Sequence, residues 1–341
     1  MIGRCAATDR GVIPTAIHDC VKGQMMTRGY IQRIANRGIA AMSVAAGRAL
    51  ERRLRRTFGL RYATRRIYDC QMLLDMEDPG LSRGLMLFGE RELDMKRMLE
   101  LFVRPSMRIY DIGGNIGYYP LLDLRLLRGG GELIVVEPVP GNAALLKKNL
   151  ALNGYSDVTV LRAAVSNVAT KRAFHVSDHS NLGTFHPEGT VREYLNGSTI
   201  DVETVTIPLL AEQYGAPDLI RMDIEGHEVE VLDSAWPGVE AGLYTPIIVF
   251  ETHPDRYGAE HDMAKALDRL FSVGYSVRVV SSLSDEASKW FLQRNYKPGE
   301  RITTDAEYRT LFWDLTHEHA IAAICSPDGI WRPPSTSTRP L

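Results

Sequence analysis

The chain has 341 residues, of which 45% are apolar and 24% are charged, and its formal net charge at pH 7 is −2. This composition is typical of a globular protein with a sizeable core, and the nearly neutral charge argues against a dedicated nucleic-acid-binding protein. The four cysteines form no metal-binding or redox motif, and no apolar run is long enough for a signal peptide or a membrane span. We therefore expect a cytoplasmic protein without a nucleic-acid partner.

We assign residues 1–74 to an N-terminal extension that is basic and partly helical. Residues 28–66 contain eleven arginines and a single acidic residue, Glu51. A helix in this segment places Ala46 and Ala49 on an apolar face, opposite a group of arginines. Such a helix can make peripheral contact with an anionic membrane, or it can pack its alanine face on the main domain. We favour the second alternative.

Strand-like and helix-like segments alternate through residues 75–326, which we predict to form one α/β domain. The predicted strands lie near residues 107–112, 132–137, 158–165, 218–223, 246–252, 275–280 and 319–325. The predicted helices lie near residues 92–102, 117–127, 140–152, 227–235, 260–273 and 304–315. This alternation predicts a doubly wound, mainly parallel, seven-stranded Rossmann-like sheet.

One interval, approximately residues 166–217, interrupts this alternation. It contains short strand-like runs at 171–177 and 203–207, with polar, glycine-containing sequence between them. We predict an inserted β segment beside the ligand face, because long loops in compact domains are usually functional or mobile. Residues 327–341 are rich in Pro, Ser and Thr, and we expect a flexible tail.

The segment 107–138 contains the clearest ligand-binding pattern of the chain. A predicted strand ends at Asp111, a turn contains Gly113, Asn115 and Gly117, and the next strand ends at Glu137. Glycines let a ligand approach the backbone, and a carboxylate about 20 residues after the turn can hold a ribose diol. A carboxylate just before the turn would repel a pyrophosphate but would attract ammonium and sulfonium groups. We therefore predict S-adenosylmethionine as the cofactor; a glycine turn without a ligand is the alternative.

A second pattern, DLIRMDIEGHEVEVL, begins at Asp218. A predicted strand ends at Asp223, Glu225 follows it, and a helix begins after Gly226. Two carboxylates at this position can orient a hydroxyl group, accept its proton or bind a metal ion. Acidic residues also stabilise the first turn of a helix, which explains Glu228 better than Asp223.

Several segments, in the same order, resemble the FkbM-type methyltransferases. These segments are YDIGGNIGYY, EPVPGNAALLKKNLALNG, RAAVSN, PDLIRMDIEGHEVEVL and PIIVFETHP. The resemblance covers roughly residues 75–325 and implies a class I methyltransferase sheet. It also implies methyl transfer from S-adenosylmethionine to oxygen, commonly on a sugar of a glycan or a secondary metabolite. The chain departs from the family at 207–210 and at His227, where many members have a Leu-Asp pair and an alanine.

The predicted site residues follow from the strand ends and the resemblance. The predicted cofactor-binding residues are Asp111, Gly113, Asn115, Gly117, Tyr118, Glu137, Pro138 and Ala164. The predicted catalytic residues are Asp223, Glu225 and His253, with His227 as a further candidate for the general base. His175, His179 and His186 are candidates for the acceptor site. We predict no metal ligand: a divalent ion on Asp223 and Glu225 is possible in principle, but their spacing does not establish one.

Three functions remain open at the level of sequence. The leading hypothesis is O-methylation of a sugar hydroxyl by in-line methyl transfer with help from a general base. The alternatives are N- or C-methylation of a small metabolite, and a non-catalytic S-adenosylmethionine-binding partner in a glycan-modifying assembly. The sequence determines neither the acceptor nor the oligomeric state.

Overall fold

The computed structural model describes residues 39–304 and 307–325. The predicted flexible tail at 327–341 and the part of the N-terminal extension before residue 39 lie outside the described residues. The helices are α1 (Ile39–Thr57), α2 (Leu81–Phe88), α3 (Leu93–Phe102), α4 (Tyr118–Leu127), α5 (Pro140–Leu152), α6 (Ile207–Tyr214), α7 (Glu228–Glu240), α8 (Met263–Ser272), α9 (Asp285–Leu292) and α10 (His317–Cys325). Short 3₁₀ helices span Gly189–Tyr194 and Pro254–Arg256.

The strands of the described part of the chain form four sheets. They are β1 (Tyr62–Ile67), β2 (Cys70–Asp75), β3 (Arg108–Ile112), β4 (Glu132–Val136), β5 (Thr159–Leu161), β6 (Ala164–Val165), β7 (Lys171–Ser177), β8 (Leu195–Val205), β9 (Leu219–Met222), β10 (Ile247–Phe250), β11 (Val279–Ser281), β12 (Arg301–Thr304) and β13 (Glu307–Trp313). The largest is a parallel sheet with the strand order β10-β9-β3-β4-β5. The prediction of a mainly parallel central sheet is confirmed, whereas a single seven-stranded sheet is not.

The central sheet separates two hydrophobic clusters. Ile109 and Val135 belong to one cluster, while Tyr110 and Ile134 belong to the other. This alternation follows from the two-residue period of a strand, and it explains why both faces are covered by helices. From β3 the chain moves outward to β5, and it then crosses back to place β9 on the other side of β3. The crevice at such a reversal, beyond the carboxyl ends of the strands, is where open α/β sheets bind ligands.

Two predicted elements near the C-terminus are wrong. Residues 319–325, a predicted strand, lie in helix α10, where Ala320, Ala323 and Ile324 are buried. This spacing fits one face of a helix as well as it fits a short apolar strand. Residues 304–315, a predicted helix, contain strand β13, which pairs antiparallel with β11 and β12. The pairing with β11 joins segments about 30 residues apart, so the local pattern does not show it.

Residues 166–217 form a second sheet beside the central one. Strand β8 pairs antiparallel with β7 and parallel with β6. The strand predicted at 171–177 is confirmed, whereas the one predicted at 203–207 begins earlier, at Leu195. That this region is an insertion remains a prediction.

Helix α1 packs on α2, but not in the predicted orientation. Ala45 is buried, and Nη1 of Arg48 donates a hydrogen bond to the carbonyl oxygen of Leu87 at 3.3 Å. Ala46 and Ala49 are exposed, so the prediction that the alanine face packs on the domain is wrong. The physical reason is that a guanidinium group can reach carbonyl groups at the end of α2, which an alanine side chain cannot.

No described helix combines the length and the apolar character needed to cross a lipid bilayer. Leu50, Leu54 and Phe58 of the α1 region are exposed beside its arginines. Contact of this helix with a membrane surface therefore stays a prediction.

Candidate active site

A small pocket lies beyond the carboxyl ends of β3, β4, β6 and β9, with a volume of about 60 Å³. Five of the predicted cofactor-binding residues line it: Gly113, Asn115, Glu137, Pro138 and Ala164. Asp223, Glu225 and His227 line it as well. The structure therefore brings both sequence patterns, the glycine turn and the DIEGH segment, into one pocket.

The glycine turn is shaped by its contact with the end of β9. Gly113 has φ of +87°, and a Cβ atom there would lie 2.4 Å from the carbonyl oxygen of Asp223. Both the backbone conformation and the space therefore require glycine. Asn115 has φ of +49° and directs its backbone N–H toward Glu137. The turn thus holds the ends of β3, β4 and β9 together.

Glu137 is buried at the end of β4, with its carboxylate bound by backbone amides. Oε2 accepts a hydrogen bond from the N–H of Asn115 at 2.9 Å, and Oε1 accepts one from the N–H of Val139 at 2.9 Å. Burial raises the pKa of Glu137 to about 7, although these two amides oppose the rise. Oε1 also accepts a long hydrogen bond from Nδ2 of Asn142 at 3.4 Å, whereas Oε2 keeps a lone pair that can accept a hydrogen bond from a ligand hydroxyl.

Asp111 does not line the pocket, in contrast to its prediction as a cofactor contact. It is fully buried, and its Oδ1 lies 3.1 Å from Nη1 of Arg221. Nη2 of the same guanidinium donates to Oδ2 of Asp223 at 3.2 Å, and the guanidinium lies 3.9 Å above the ring of Tyr119. Asp111 therefore fixes Arg221, which in turn fixes Asp223. The sequence shows no sign of this arrangement, because residues 111 and 221 meet only through the pairing of β3 with β9.

Tyr118 and Gly117 also lie away from the pocket. The hydroxyl of Tyr118 donates to the carbonyl oxygen of Arg91 and accepts from its N–H, both at 2.7 Å. Gly117, with φ of +97°, begins α4 and faces Leu146. These two residues position the turn and the helix, and they do not contact a ligand in the pocket.

Glu225 and His253 belong to a charged network at the mouth of the pocket. Oε2 of Glu225 lies 2.9 Å from Nη1 of Arg256 and 3.5 Å from Nε2 of His253. The other ring nitrogen of His253, Nδ1, lies 2.9 Å from Oε1 of Glu228. We call Asp223, Glu225 and His253 the acidic cluster, and their ligand-type atoms all lie within 4.8 Å of one another.

The environment of His253 does not favour its predicted role as a general base. Burial alone would lower its pKa, but Glu228, Glu225 and Glu251 outweigh burial and raise it to about 10. His253 is therefore an imidazolium at neutral pH, with no lone pair to accept a proton. Its positive charge instead offsets the negative charge of the carboxylates around it.

Glu251 is a partly buried acid at the end of β10 that is not among the predicted site residues. Burial raises its pKa to about 8, and nearby Asp223 and Glu92 add to the rise. It lines a mainly apolar cavity of about 560 Å³ between β10 and β11, which also reaches Tyr119. This cavity is the larger of the two, but only the smaller pocket contains the glycine turn and Glu137.

Residues 178–185, which we call the cover segment, lie over the small pocket. The carbonyl oxygen of Ser180 accepts hydrogen bonds from Nδ2 of Asn115 at 3.0 Å and from Nδ2 of Asn142 at 2.8 Å. Ser180 also donates to Asp78, from its N–H at 3.1 Å and from its hydroxyl at 2.8 Å. Ligand pockets usually have volumes of about 300–1,000 Å³. The cover segment must therefore move before the pocket can admit a nucleoside-sized ligand.

The three histidines predicted near the acceptor site have different surroundings. His175 lies on β7, where its backbone pairs with Thr184. The ring of His179 packs edge-on against Tyr194, with ring centres 5.2 Å apart. His186 instead meets His227, and with Glu230 these residues form a second group whose ligand-type atoms lie within 4.8 Å of one another.

Together, the parallel sheet, the glycine turn and the acidic strand ends define a Rossmann-like nucleotide-binding fold. Residues 111–277 match the sequence profile described as the methyltransferase FkbM domain. Residues 111–277 therefore form an FkbM-type methyltransferase domain, which confirms the resemblance. No curated protein sequence gives a significant match.

Solved structures similar to this chain include three methyltransferases. The methyltransferase FkbM from Methylobacillus flagellatus KT is 16% identical, with a TM-score of 0.34, over 62% of this chain and 44% of that protein. This chain therefore matches less than half of that protein's length. The S-adenosylmethionine-dependent methyltransferase from Agrobacterium tumefaciens is 13% identical, with a TM-score of 0.38, over 74% and 70% of the two chains. The O-methyltransferase from Bacillus cereus, solved with S-adenosylhomocysteine, is 12% identical, with a TM-score of 0.32, over 65% and 79%.

Proposed function

We propose that the protein methylates a sugar hydroxyl, in a glycan or a secondary metabolite, with S-adenosylmethionine as the methyl donor. The observation that carries this proposal is the single pocket that joins Glu137 to Asp223 and Glu225 through the glycine turn. One end offers a carboxylate for a ribose diol, and the other offers carboxylates for a cationic donor and a hydroxyl acceptor.

The residues of the pocket fit the cofactor. Glu137 is positioned to accept a hydrogen bond from a ribose hydroxyl, and Pro138 and Ala164 supply apolar surface for a purine ring. Asp223 and Glu225 supply negative charge near the sulfonium end. When bound, S-adenosylmethionine supplies an activated methyl group, so the protein needs to align the acceptor oxygen and to exclude water. The cover segment is suited to the second task, because it closes over the same pocket.

Asp223 is the best placed general base. Its side chain is 27% exposed, whereas those of Glu225 and His253 are 13% and 12% exposed and are paired with each other. Arg221 binds Oδ2 of Asp223, which leaves Oδ1 for an acceptor hydroxyl. The bond between the acceptor oxygen and the methyl carbon would form as the carbon–sulfur bond of the donor breaks, with S-adenosylhomocysteine as the leaving group, and Asp223 would take the hydroxyl proton. Glu225, His253 and Arg256 would hold the acidic cluster in place.

We do not place a metal ion in the acidic cluster. Arg221 and Arg256 each occupy one oxygen of Asp223 and Glu225, and the charged ring of His253 cannot act as a ligand. A divalent ion would have to displace these three cations.

The test is methyl transfer from S-adenosylmethionine with a labelled methyl group to a glycan extract of cells. We expect labelled methyl ethers after hydrolysis to single sugars. Asp223→Asn should lower the rate at least 100-fold, as expected for the loss of a general base, with cofactor affinity within threefold of the original. Asp218→Asn, at the opposite end of β9, is the control and should keep its activity.

Two results would contradict the proposal. Label on nitrogen or carbon would support the alternative methylation reactions. Cofactor binding without any transfer to glycans or small metabolites would support a non-catalytic partner.

A further inference from the structure

A group of buried histidine and carboxylate side chains lies behind the pocket. Nε2 of His186 is 2.9 Å from Nδ1 of His227. Glu230 places Oε2 3.4 Å from Nδ1 of His227 and Oε1 3.7 Å from Nε2 of His186. His227 and Glu230 are three residues apart at the start of α7, so their side chains lie on the same face of the helix. We call His186, His227, Glu230 and His261 the histidine cluster.

The hydrogen bonding of this cluster is incomplete. Oε2 of Glu230 is buried and has no hydrogen-bond partner among the described residues. Nδ1 of His261 lies 2.6 Å from Oε1 of Glu230, but it has no partner with the geometry of a hydrogen bond either. A buried polar atom without a partner costs about 1–3 kcal/mol and calls for an explanation. A cation between these atoms would satisfy them together.

The distances fit a tetrahedral metal ion. Zinc binds imidazole nitrogen at about 2.0–2.1 Å, so neighbouring ligand atoms around tetrahedral zinc are about 3.3 Å apart. The separations among His186, His227 and Glu230 are 2.9, 3.4 and 3.7 Å, and they scatter around this value. Imidazole with one carboxylate is a ligand set that zinc uses, whereas Mg²⁺ and Ca²⁺ prefer oxygen atoms alone.

The surroundings orient the imidazole ring of His227. Neutral imidazole is the form that binds a metal ion. The second nitrogen of His227, Nε2, lies 3.1 Å from Oγ of Ser166, which fixes the ring so that Nδ1 faces the cluster.

The charges distinguish this cluster from the acidic cluster. No described Lys or Arg side chain is ion-paired with Glu230; its ion-pair partners are His186, His227 and His261. The guanidinium of Arg172 stacks on the ring of Phe185 at 4.7 Å instead. The histidine cluster therefore contains a buried carboxylate without a fixed protein cation.

We propose that the histidine cluster binds one Zn²⁺ ion through His186, His227 and Glu230. His186 directly follows the cover segment, and His227 precedes α7 in the segment that carries Asp223 and Glu225. The ion would therefore tie one end of the cover segment to the helix beside the acidic cluster. It is a positioning site, and it exchanges no group with the substrate.

The experiment measures metal content and metal affinity of the purified full chain. After removal of metals with a chelator, the protein is titrated with Zn²⁺, and with Co²⁺ as a visible-absorption probe of tetrahedral geometry. We expect one equivalent of Zn²⁺ and a tetrahedral Co²⁺ spectrum. Glu230→Gln and His186→Asn should each weaken Zn²⁺ binding at least tenfold, because each removes a ligand.

The matched control is Glu225→Gln, which makes the same chemical change in the acidic cluster. It should keep one equivalent of Zn²⁺ with affinity within threefold of the original. Circular dichroism of each variant separates loss of a ligand from loss of the fold. A wild-type chain that binds less than 0.1 equivalent would overturn the proposal, as would equal losses in Glu230→Gln and Glu225→Gln. Titration with S-adenosylmethionine of the same samples tests the proposed function independently.

Discussion

The acidic cluster and the histidine cluster lie at the same edge of the sheet and use the same residue types, but their charges are balanced in different ways. In the acidic cluster, Arg221 and Arg256 bind the carboxylates, and His253 is an imidazolium among acids. In the histidine cluster, burial lowers the pKa of His186 and of His227, and no described arginine is ion-paired with Glu230. This difference is the reason that we propose proton transfer for the first cluster and a metal ion for the second.

The largest effect is expected for Arg221→Met, which removes the guanidinium group that binds both Asp111 and Asp223. Asp111 would remain fully buried without a partner, and Asp223 would lose its anchor. Breaking a buried ion pair on one side costs about 3–5 kcal/mol, so we expect a decrease of that size in the free energy of unfolding. Urea denaturation measures it, with exposed Arg162→Met as the control. A change below about 1 kcal/mol in the free energy of unfolding would show that the ion pairs of Arg221 do not stabilise the fold.

A smaller, pH-dependent effect is expected for His253→Gln. The pKa of His253 is about 10 in the folded protein and about 6.5 in the unfolded chain, so the imidazolium stabilises the fold fully below pH 6.5. This stabilisation is lost as the pH rises through 10. The variant should be clearly less stable than the original at pH 6 and nearly equal to it at pH 10.

Denaturation curves between pH 6 and pH 10 test this expectation. His319→Gln, a histidine in the C-terminal helix, serves as the control and should keep the original slope. If His253→Gln also keeps that slope, His253 is not the imidazolium that distinguishes the acidic cluster.

The smallest effect is expected at the cover segment, which ends next to the histidine cluster. Asp78→Asn removes one of the two carboxylate oxygens that accept hydrogen bonds from the N–H and the hydroxyl of Ser180. The remaining side-chain oxygen can still accept the hydrogen bond from the N–H of Ser82 at the start of α2. Loss of about one hydrogen bond should speed cofactor association by about threefold. Stopped-flow fluorescence measures this rate, with the exposed neighbour Glu77→Gln as the control. A slower or unchanged rate would indicate that the segment does not control entry.

The sequence was informative where the structure is local. The strand, glycine turn and Glu137 occur within one short segment, so the position of Gly113, Asn115 and Glu137 in one pocket could be predicted from spacing. The pairing of Asp111 with Arg221 could not, because it depends on the register of β3 with β9. At the C-terminus, short apolar runs fit a helix and a strand equally well, and tertiary pairing decided between them.

The histidine cluster likewise depends on contacts between residues that are distant in the sequence. The spacing of His227 and Glu230 is visible in the sequence, but His186 and His261 come from two distant loops. The surroundings of a side chain can also oppose the role that its position suggests. His253 lies beside Glu225 as a base would, yet the surrounding carboxylates keep it protonated.

The most direct test of the cofactor site is a calorimetric titration with S-adenosylmethionine. Glu137→Ala should weaken binding by about tenfold or more, because it removes a charged acceptor for the ribose hydroxyls. Glu132→Ala, at the opposite and exposed end of the same strand, should bind like the original chain. Equal affinity for all three proteins would contradict the assignment of this pocket to the methyl donor.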